Sequence, residues 1–225
     1  MPDAITHPDD PGLAPPKPRL RGVSHHVAFY VSLAAGSGLV VGAPTGRASL
    51  VALVYAVTVS GMLGASALLH RGDWSPRTSA RLTRLDHTAI FLVIAGTYTP
   101  IGLYAIHGAL RPLVLGLVWG GAMVGIAFEW SPVRPPRGWV TAVYLTVGWV
   151  AVLALPQLWD SLGAVGFALV AGGGVLYTVG AVVHAARRPD PLPDVFGYHE
   201  IFHAFVVAAA AAHFCAIAFV VLPRA

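Results

Sequence analysis

The chain contains seven apolar stretches, each long enough to cross a lipid bilayer as a helix. A spanning helix needs roughly 17–25 residues of mostly apolar sequence. Charged residues make up 11% of the 225 residues, against about 25% in a typical soluble domain. The sequence therefore predicts an all-α, polytopic membrane protein with seven transmembrane helices. The predicted segments are 23–41, 48–70, 85–106, 110–129, 139–155, 162–185 and 196–222.

Basic residues predict how these segments are oriented, because loops rich in Lys and Arg stay in the cytoplasm. Eleven of the 14 basic residues fall on one side of the seven-segment arrangement, and three fall on the other. The amino terminus is therefore predicted to be cytoplasmic and the carboxyl terminus outside. The predicted cytoplasmic residues are Lys17, Arg19, Arg21, Arg71, Arg77, Arg81, Arg84, Arg134, Arg137, Arg187 and Arg188, and those outside are Arg47, Arg111 and Arg224.

The remaining composition narrows the function classes. A net charge of +4 can indicate nucleic-acid binding, but here the basic residues are spread over short loops of one membrane face, so no nucleic-acid partner is expected. Cys215 is the single cysteine, which excludes an intrachain disulfide and a cysteine-based metal cluster. Residues 1–22 are rich in Pro, Asp and Gly and are predicted to form a disordered cytoplasmic tail before a membrane domain at 23–225.

Three histidines are predicted to meet at the cytoplasmic face. His70 ends the second segment, and His199 and His203 stand four residues apart at the start of the seventh. Imidazoles four residues apart project from one helix face, and three imidazoles plus water are a usual catalytic zinc site. The alternative is a set of core and interfacial histidines that bind no metal. Ionisable groups inside a membrane segment are costly, which favours a functional site.

Asp86 and Ser66 are the candidate catalytic residues beside this cluster. Asp86 is interpreted in two ways: as the third residue of a capping box begun by Thr83, or as a carboxylate that binds a water and takes its proton. Ser66 precedes His70 by one helical turn, so the two share a face about 6 Å apart along the axis. It is a candidate to orient a ligand or a bound carbonyl, or to bond to its own helix.

Other histidines receive different interpretations. His25, His26 and His184 are predicted to be interfacial residues rather than ligands. His213 follows His203 by ten residues, about 15 Å deeper in the membrane, where it could line a cavity but not join the metal site. Residues 199–203 (HEIFH) also match the HExxH motif of zinc proteases, in which Glu200 would be the general base.

Three sequence motifs resemble, in order, the markers of the hemolysin III family, bacterial relatives of the progestin and adiponectin receptors. The resemblance implies seven helices with the amino terminus inside, in this case in a bacterial inner membrane, and zinc bound by His70, His199 and His203. It also implies that Asp86 approaches the zinc through water, with Ser66 nearby. The motifs are Ser66-xxx-His70, residues 85–91 (LDHTAIF) with 95–100 (AGTYTP), and residues 197–203 (GYHEIFH).

The function predicted from these residues is a zinc-dependent membrane hydrolase that acts on a lipid amide or ester near the inner leaflet. The wider superfamily includes alkaline ceramidases, which hydrolyse a lipid amide. Four alternatives stay open: a receptor-like zinc protein without enzymatic activity, a protein whose zinc only joins helices, a membrane-lytic protein, and an intramembrane protease that uses Glu200. Iron and manganese are open as alternatives to zinc by ligand type.

Overall fold

The structure is a computed structural model that describes residues 17–132 and 138–225. Within these ranges the chain is helical and contains no β-strand, only an isolated bridge between Leu192 and Phe196. The all-α prediction is confirmed for this part of the chain. The helices are α1 (Val23–Val41), α2 (Gly46–Arg71), α3 (Pro76–Ala105), α4 (Leu110–Trp130), α5 (Trp139–Gly148), α6 (Leu155–Ala186) and α7 (Tyr198–Ala216).

Six helical stretches of the described residues are long and apolar enough to cross a membrane. Five of them coincide with α1, α2, α3, α4 and the region of α7, which continues as a π-helix and a 3-10 helix to Arg224. The sixth, Trp139–Ala186, contains both the fifth and the sixth predicted segments. The seven-helix count therefore stays a prediction.

The Trp139–Ala186 stretch is interrupted twice. A 3-10 helix at Val150–Ala154 separates α5 from α6, and Gly163 within α6 has non-helical angles of φ 67° and ψ 178°. The Tyr98 hydroxyl of α3 stabilises the first break, because it donates to the Gly148 carbonyl at 2.6 Å and accepts from the Ala151 N–H at 2.7 Å. These two bonds satisfy backbone groups that the change of helix type leaves without helical partners.

The helices form a closed bundle. Helices adjacent in the chain pack together from α1 to α4, α6 packs along α7, and α7 also contacts α1. The core is concentrated in α2 and α3, whereas α1 has mostly exposed apolar side chains, as expected for a helix facing lipid. The contact between α7 and α1 brings the beginnings of both helices beside the end of α2.

Helix α3 begins nine residues before the predicted start of its segment. Pro76 occupies the first turn, and the Ser75 hydroxyl caps the helix by accepting the Thr78 N–H at 3.3 Å. Thr83 thus lies inside the helix, where its hydroxyl donates to the Ser79 carbonyl at 2.9 Å. The capping-box interpretation of Asp86 is therefore wrong. The arginines in the first turns of α3 suggested a loop, but long basic side chains can extend from a helix into water.

Residues 17–22 lie across the end of the bundle where the histidines are found. The N–H groups of Arg19 and Leu20 donate to the carbonyls of Asp194 and Val195, at 2.9 and 3.1 Å. The Lys17 ammonium donates to the Gly72 carbonyl at 2.7 Å, beyond the end of α2. The rest of the predicted tail, residues 1–16, is outside the described residues, as are Arg134 and Arg137.

Candidate metal centre

His70, His199 and His203 come together at one end of the bundle. His70 occupies the last turn of α2, and the other two lie in the first two turns of α7. One ring nitrogen from each histidine can be chosen so that all three lie within 4.8 Å of one another. The ring centroids are 4.5 to 5.0 Å apart. Two elements far apart in sequence thus supply one compact set of nitrogen donors, whose role as metal ligands stays a prediction.

The spacing of these nitrogens fits a metal ion. The Nε2 atoms of His70 and His199 are 3.2 Å apart. Two imidazole nitrogens bound to a tetrahedral zinc at about 2.05 Å lie roughly 3.3 Å apart, so a single ion can bind both without a large rearrangement. His203 is 1% exposed, and its Nδ1 has no hydrogen-bond partner among the described residues. A buried polar atom without a partner costs about 1–3 kcal/mol, which a ligand can recover.

Asp86 and Ser66 are not part of this cluster. The Asp86 carboxylate does not belong to the group of mutually close ligand atoms. Ser66, which is 2% exposed, lies close to the Asp86 carboxyl group. Both residues line the same internal cavity. The prediction that Ser66 orients a ligand or a bound carbonyl, or bonds to its own helix, stays a prediction.

Glu200 is committed to local structure. Its Oε2 accepts the Gly197 N–H at 2.8 Å at the start of α7, and its Oε1 accepts a hydrogen bond from the Arg21 guanidinium. The carboxylate is 3% exposed. Because both oxygens have partners and one partner is a cation, this arrangement argues against Glu200 as a base that takes a proton from water.

His25 and His184 lie closer to the cluster than sequence reasoning predicted. His25 is 2% exposed, and its ring stacks on His203 with centroids 3.8 Å apart and an angle of 11° between planes. The His184 ring is 5.1 Å from that of His199. The prediction that both are interfacial is wrong for His25, which is buried. The only signal in the sequence was that its segment begins on the same membrane face.

The cavity lined by His25, Ser66 and Asp86 has a volume of about 120 Å³. It extends from His25, Ser66 and Asp86 to His213, and most of the wall between them is apolar or aromatic. His213 also borders a second cavity of about 70 Å³, and its Nε2 donates to the Val170 carbonyl at 3.0 Å. The expectation that His213 lines a cavity away from the ligand set agrees with this placement.

Sequence comparisons place the chain among known membrane proteins. A family profile described as "Haemolysin-III related" matches residues 13–214. "Hemolysin-3" of Bacillus cereus is 35% identical over 206 residues, which cover 90% of this chain and 91% of that protein. "Hemolysin-3 homolog" of Bacillus subtilis (strain 168) is 35% identical over 166 residues, 74% of this chain and 75% of its own. "Heptahelical transmembrane protein ADIPOR2" of Oryza sativa subsp. japonica is 29% identical over 181 residues, 73% and 79% of the two chains.

Proposed function

The chain belongs to the hemolysin III family of multi-pass membrane proteins, and from that premise we propose that it is a zinc-dependent hydrolase of a lipid amide or ester. The observation that carries the proposal is that three imidazoles meet at one end of the bundle, where His25, stacked on His203, lines a mostly apolar cavity together with Asp86. The imidazoles suit zinc, Asp86 suits a proton acceptor, and the cavity suits an alkyl chain. Membrane lipid is accordingly the proposed substrate.

The chemistry divides between the metal and the chain. Zinc held by His70, His199 and His203 supplies Lewis-acid chemistry, which polarises a carbonyl and makes water more acidic. Asp86 orients a water and accepts its proton as the water oxygen bonds to the acyl carbon. The bond from that carbon to nitrogen or oxygen then breaks, and Asp86 returns the proton to the departing amine or alcohol. Ser66 donates to the Asp86 carboxylate and fixes its orientation.

We also propose that the chain crosses the membrane seven times with the amino terminus in the cytoplasm. At 1.5 Å per residue the 48 residues of Trp139–Ala186 would extend about 72 Å, more than twice the ~30 Å of a hydrocarbon core. The breaks at Val150–Ala154 and Gly163 allow the stretch to cross twice. A phosphatase fused after residue 225 is then active outside the cell, whereas a cytoplasmic carboxyl terminus would contradict the topology.

Lipid hydrolysis by the purified protein tests the main proposal. A fluorescent N-acyl sphingosine represents an amide substrate, and a fluorescent diacylglycerol represents an ester. We expect Asp86→Ala to lower the rate about 10²–10⁴-fold, the usual effect of losing a general base, while the metal stays bound. Hydrolysis of neither lipid above the Asp86→Ala level would reject the proposal. If the protein instead hydrolysed a peptide bond, and Glu200→Gln abolished that activity while Asp86→Asn was tolerated, the protease alternative would be supported.

A zinc protein without enzymatic activity is the second candidate, because one ion bound here would join the end of α2 to the start of α7. A metal that only joins helices makes its largest contribution to stability. A fluorescence melt of His70→Ala separates the two functions. A folded, zinc-poor and inactive variant supports the hydrolase, and a large fall in melting temperature without any lost activity supports the structural role.

A further inference from the structure

His25 is a buried histidine that the proposed chemistry does not use. It lies in the first turn of α1 and is 2% exposed, and neither ring nitrogen has a hydrogen-bond partner among the described residues. The backbone of His203 approaches the ring, but not with the distance and angle of a hydrogen bond. Buried polar groups nearly always have a partner, so a side chain with two unpaired nitrogens points to a ligand.

The stacking geometry separates His25 from the metal ligands. The lone pair of an imidazole nitrogen lies in the plane of its ring, so a metal bound by His203 lies near the plane of the His203 ring. The His25 ring is nearly parallel to the His203 ring, at an angle of 11°, and the two ring centroids are 3.8 Å apart. A lone pair of His25 therefore runs alongside the bond from His203 to the metal instead of converging on the same ion. His25 is accordingly free to serve a different ligand.

The cavity determines what that ligand can be. His25 lines it together with Ser66 and Asp86, and the wall beyond them includes Met62 and Val93. A neutral imidazole offers one N–H donor and one acceptor. A ligand that accepts a hydrogen bond from His25 and also packs against the apolar wall would have an oxygen acceptor at one end of an alkyl chain. Protein atoms cover both His25 nitrogens in the described conformation, so binding such a ligand requires the ring to turn about its Cβ–Cγ bond, away from the stacked position, to present its N–H.

We propose that His25 binds lipid in this cavity by donating a hydrogen bond to the acyl oxygen, which holds the acyl carbon beside Asp86. The inference rests on the proposed function and names the residue that positions its substrate. The acyl oxygen belongs either to an intact amide or ester or to the carboxylate of a free fatty acid, since both present the same acceptor on the same chain.

Binding of two photoreactive probes tests the inference. One is N-palmitoyl sphingosine and the other is palmitic acid, each with a diazirine in the acyl chain. The probes are applied to protein carrying Asp86→Asn, so that labelling reports binding without hydrolysis. We expect His25→Phe, which keeps a stacked ring but has no N–H, to bind at least one probe about tenfold more weakly. His25→Gln restores an N–H donor without the ring and is expected to recover most of that affinity.

Metal content, measured by mass spectrometry in the same samples, separates binding from structural effects. Unchanged metal in His25→Phe with weaker labelling supports the inference, and the probe that is affected identifies the source of the acyl oxygen. Lost metal would show that His25 supports His203 instead, and equal labelling of all variants, or none, would also overturn the proposal. If labelling depends on His25 while the wild type hydrolyses neither lipid, the binding role stands and the hydrolase function fails.

Discussion

Two regions of the bundle contain buried histidines, and they differ in how those histidines are satisfied. In the middle of α7, His213 donates to the Val170 carbonyl, so its one N–H is paired by the protein. At the start of α7, the closest polar neighbour of the His199 Nε2 is another imidazole nitrogen, on His70. The Nδ1 of His213 has no partner among the described residues, but the backbone acceptor fixes which of its nitrogens carries the proton, whereas imidazoles that face one another need a proton or a metal between them.

Removing one histidine from each region tests whether the two regions differ in metal binding. We expect wild-type protein purified in detergent to contain about one metal ion per chain, and His199→Ala to contain almost none, because two imidazoles bind far more weakly than three. His213→Ala is the matched control on the same helix and should keep its metal. Mass spectrometry measures both. Equal metal in the two variants, or no metal in folded wild type, would contradict the metal centre.

Removal of the ion pair between Arg21 and Glu200 is expected to have the next largest effect, a loss of stability. We expect Arg21→Met to destabilise the protein by about 2–3 kcal/mol, because it leaves a buried carboxylate without its cation. The value is below that of a fully buried pair, since Arg21 is partly exposed and Glu200 keeps its bond to Gly197. Thermal melting measures the loss, and Arg19→Met, which changes an exposed side chain, is the control. Identical melting temperatures would show that the pair adds no stability.

Substitution of Gly22 tests the histidine cluster through the backbone that contacts His70. It has a φ of 74°, and a Cβ added there would lie 2.7 Å from the His70 Cβ. Gly108 has a φ of 59°, with no atom of the described residues within 4 Å of such a Cβ. Both alanine variants should lose about 1–2 kcal/mol to left-handed strain. Only Gly22→Ala should also weaken metal binding, which titration of metal-free protein measures, and equal metal affinity in the two would contradict the contact.

The smallest effect is expected in the His213 region. His213→Phe removes one hydrogen bond to a backbone carbonyl and should cost about 1 kcal/mol, without a change in metal content. Melting curves and mass spectrometry on one sample check both statements. A loss of metal in this variant would show that the His213 region also supports metal binding, so the two regions would not be distinct.

The sequence correctly predicted that the three histidines lie close together, because two parts of the cluster are local. The spacing of His199 and His203 places them on one helix face, and the apolar run before His70 places that residue at a helix end. The predicted membrane topology then assigns both ends to one face. The helical class and the family also follow from the apolar stretches and the three ordered motifs, and the structure and the comparisons confirm them.

Long-range packing accounts for most of what the sequence did not predict. The burial of His25 depends on the contact between α1 and α7, which closes the bundle and leaves no periodic signal in either segment. The start of α3 was missed because arginines in its first turns resemble a loop. The break after α5 depends on Tyr98, about 50 residues earlier in the chain, whose hydroxyl bonds to both sides of it. The burial of His25 and the break after α5 therefore involve residues far apart in sequence, whereas the start of α3 depends on the local cap by Ser75.

The division of the ligand set between α2 and α7 has a consequence for biosynthesis. His70 and His199 are separated by 129 residues. At about 5–20 residues per second, a ribosome needs roughly 6–26 s to synthesise this interval. During that time the nascent chain carries one of the three imidazoles, so at the proposed metal site the full ligand set forms only when the last helix is made. A chain truncated before α7 is therefore expected to lack the metal, and metal content would report that translation reached the final helix.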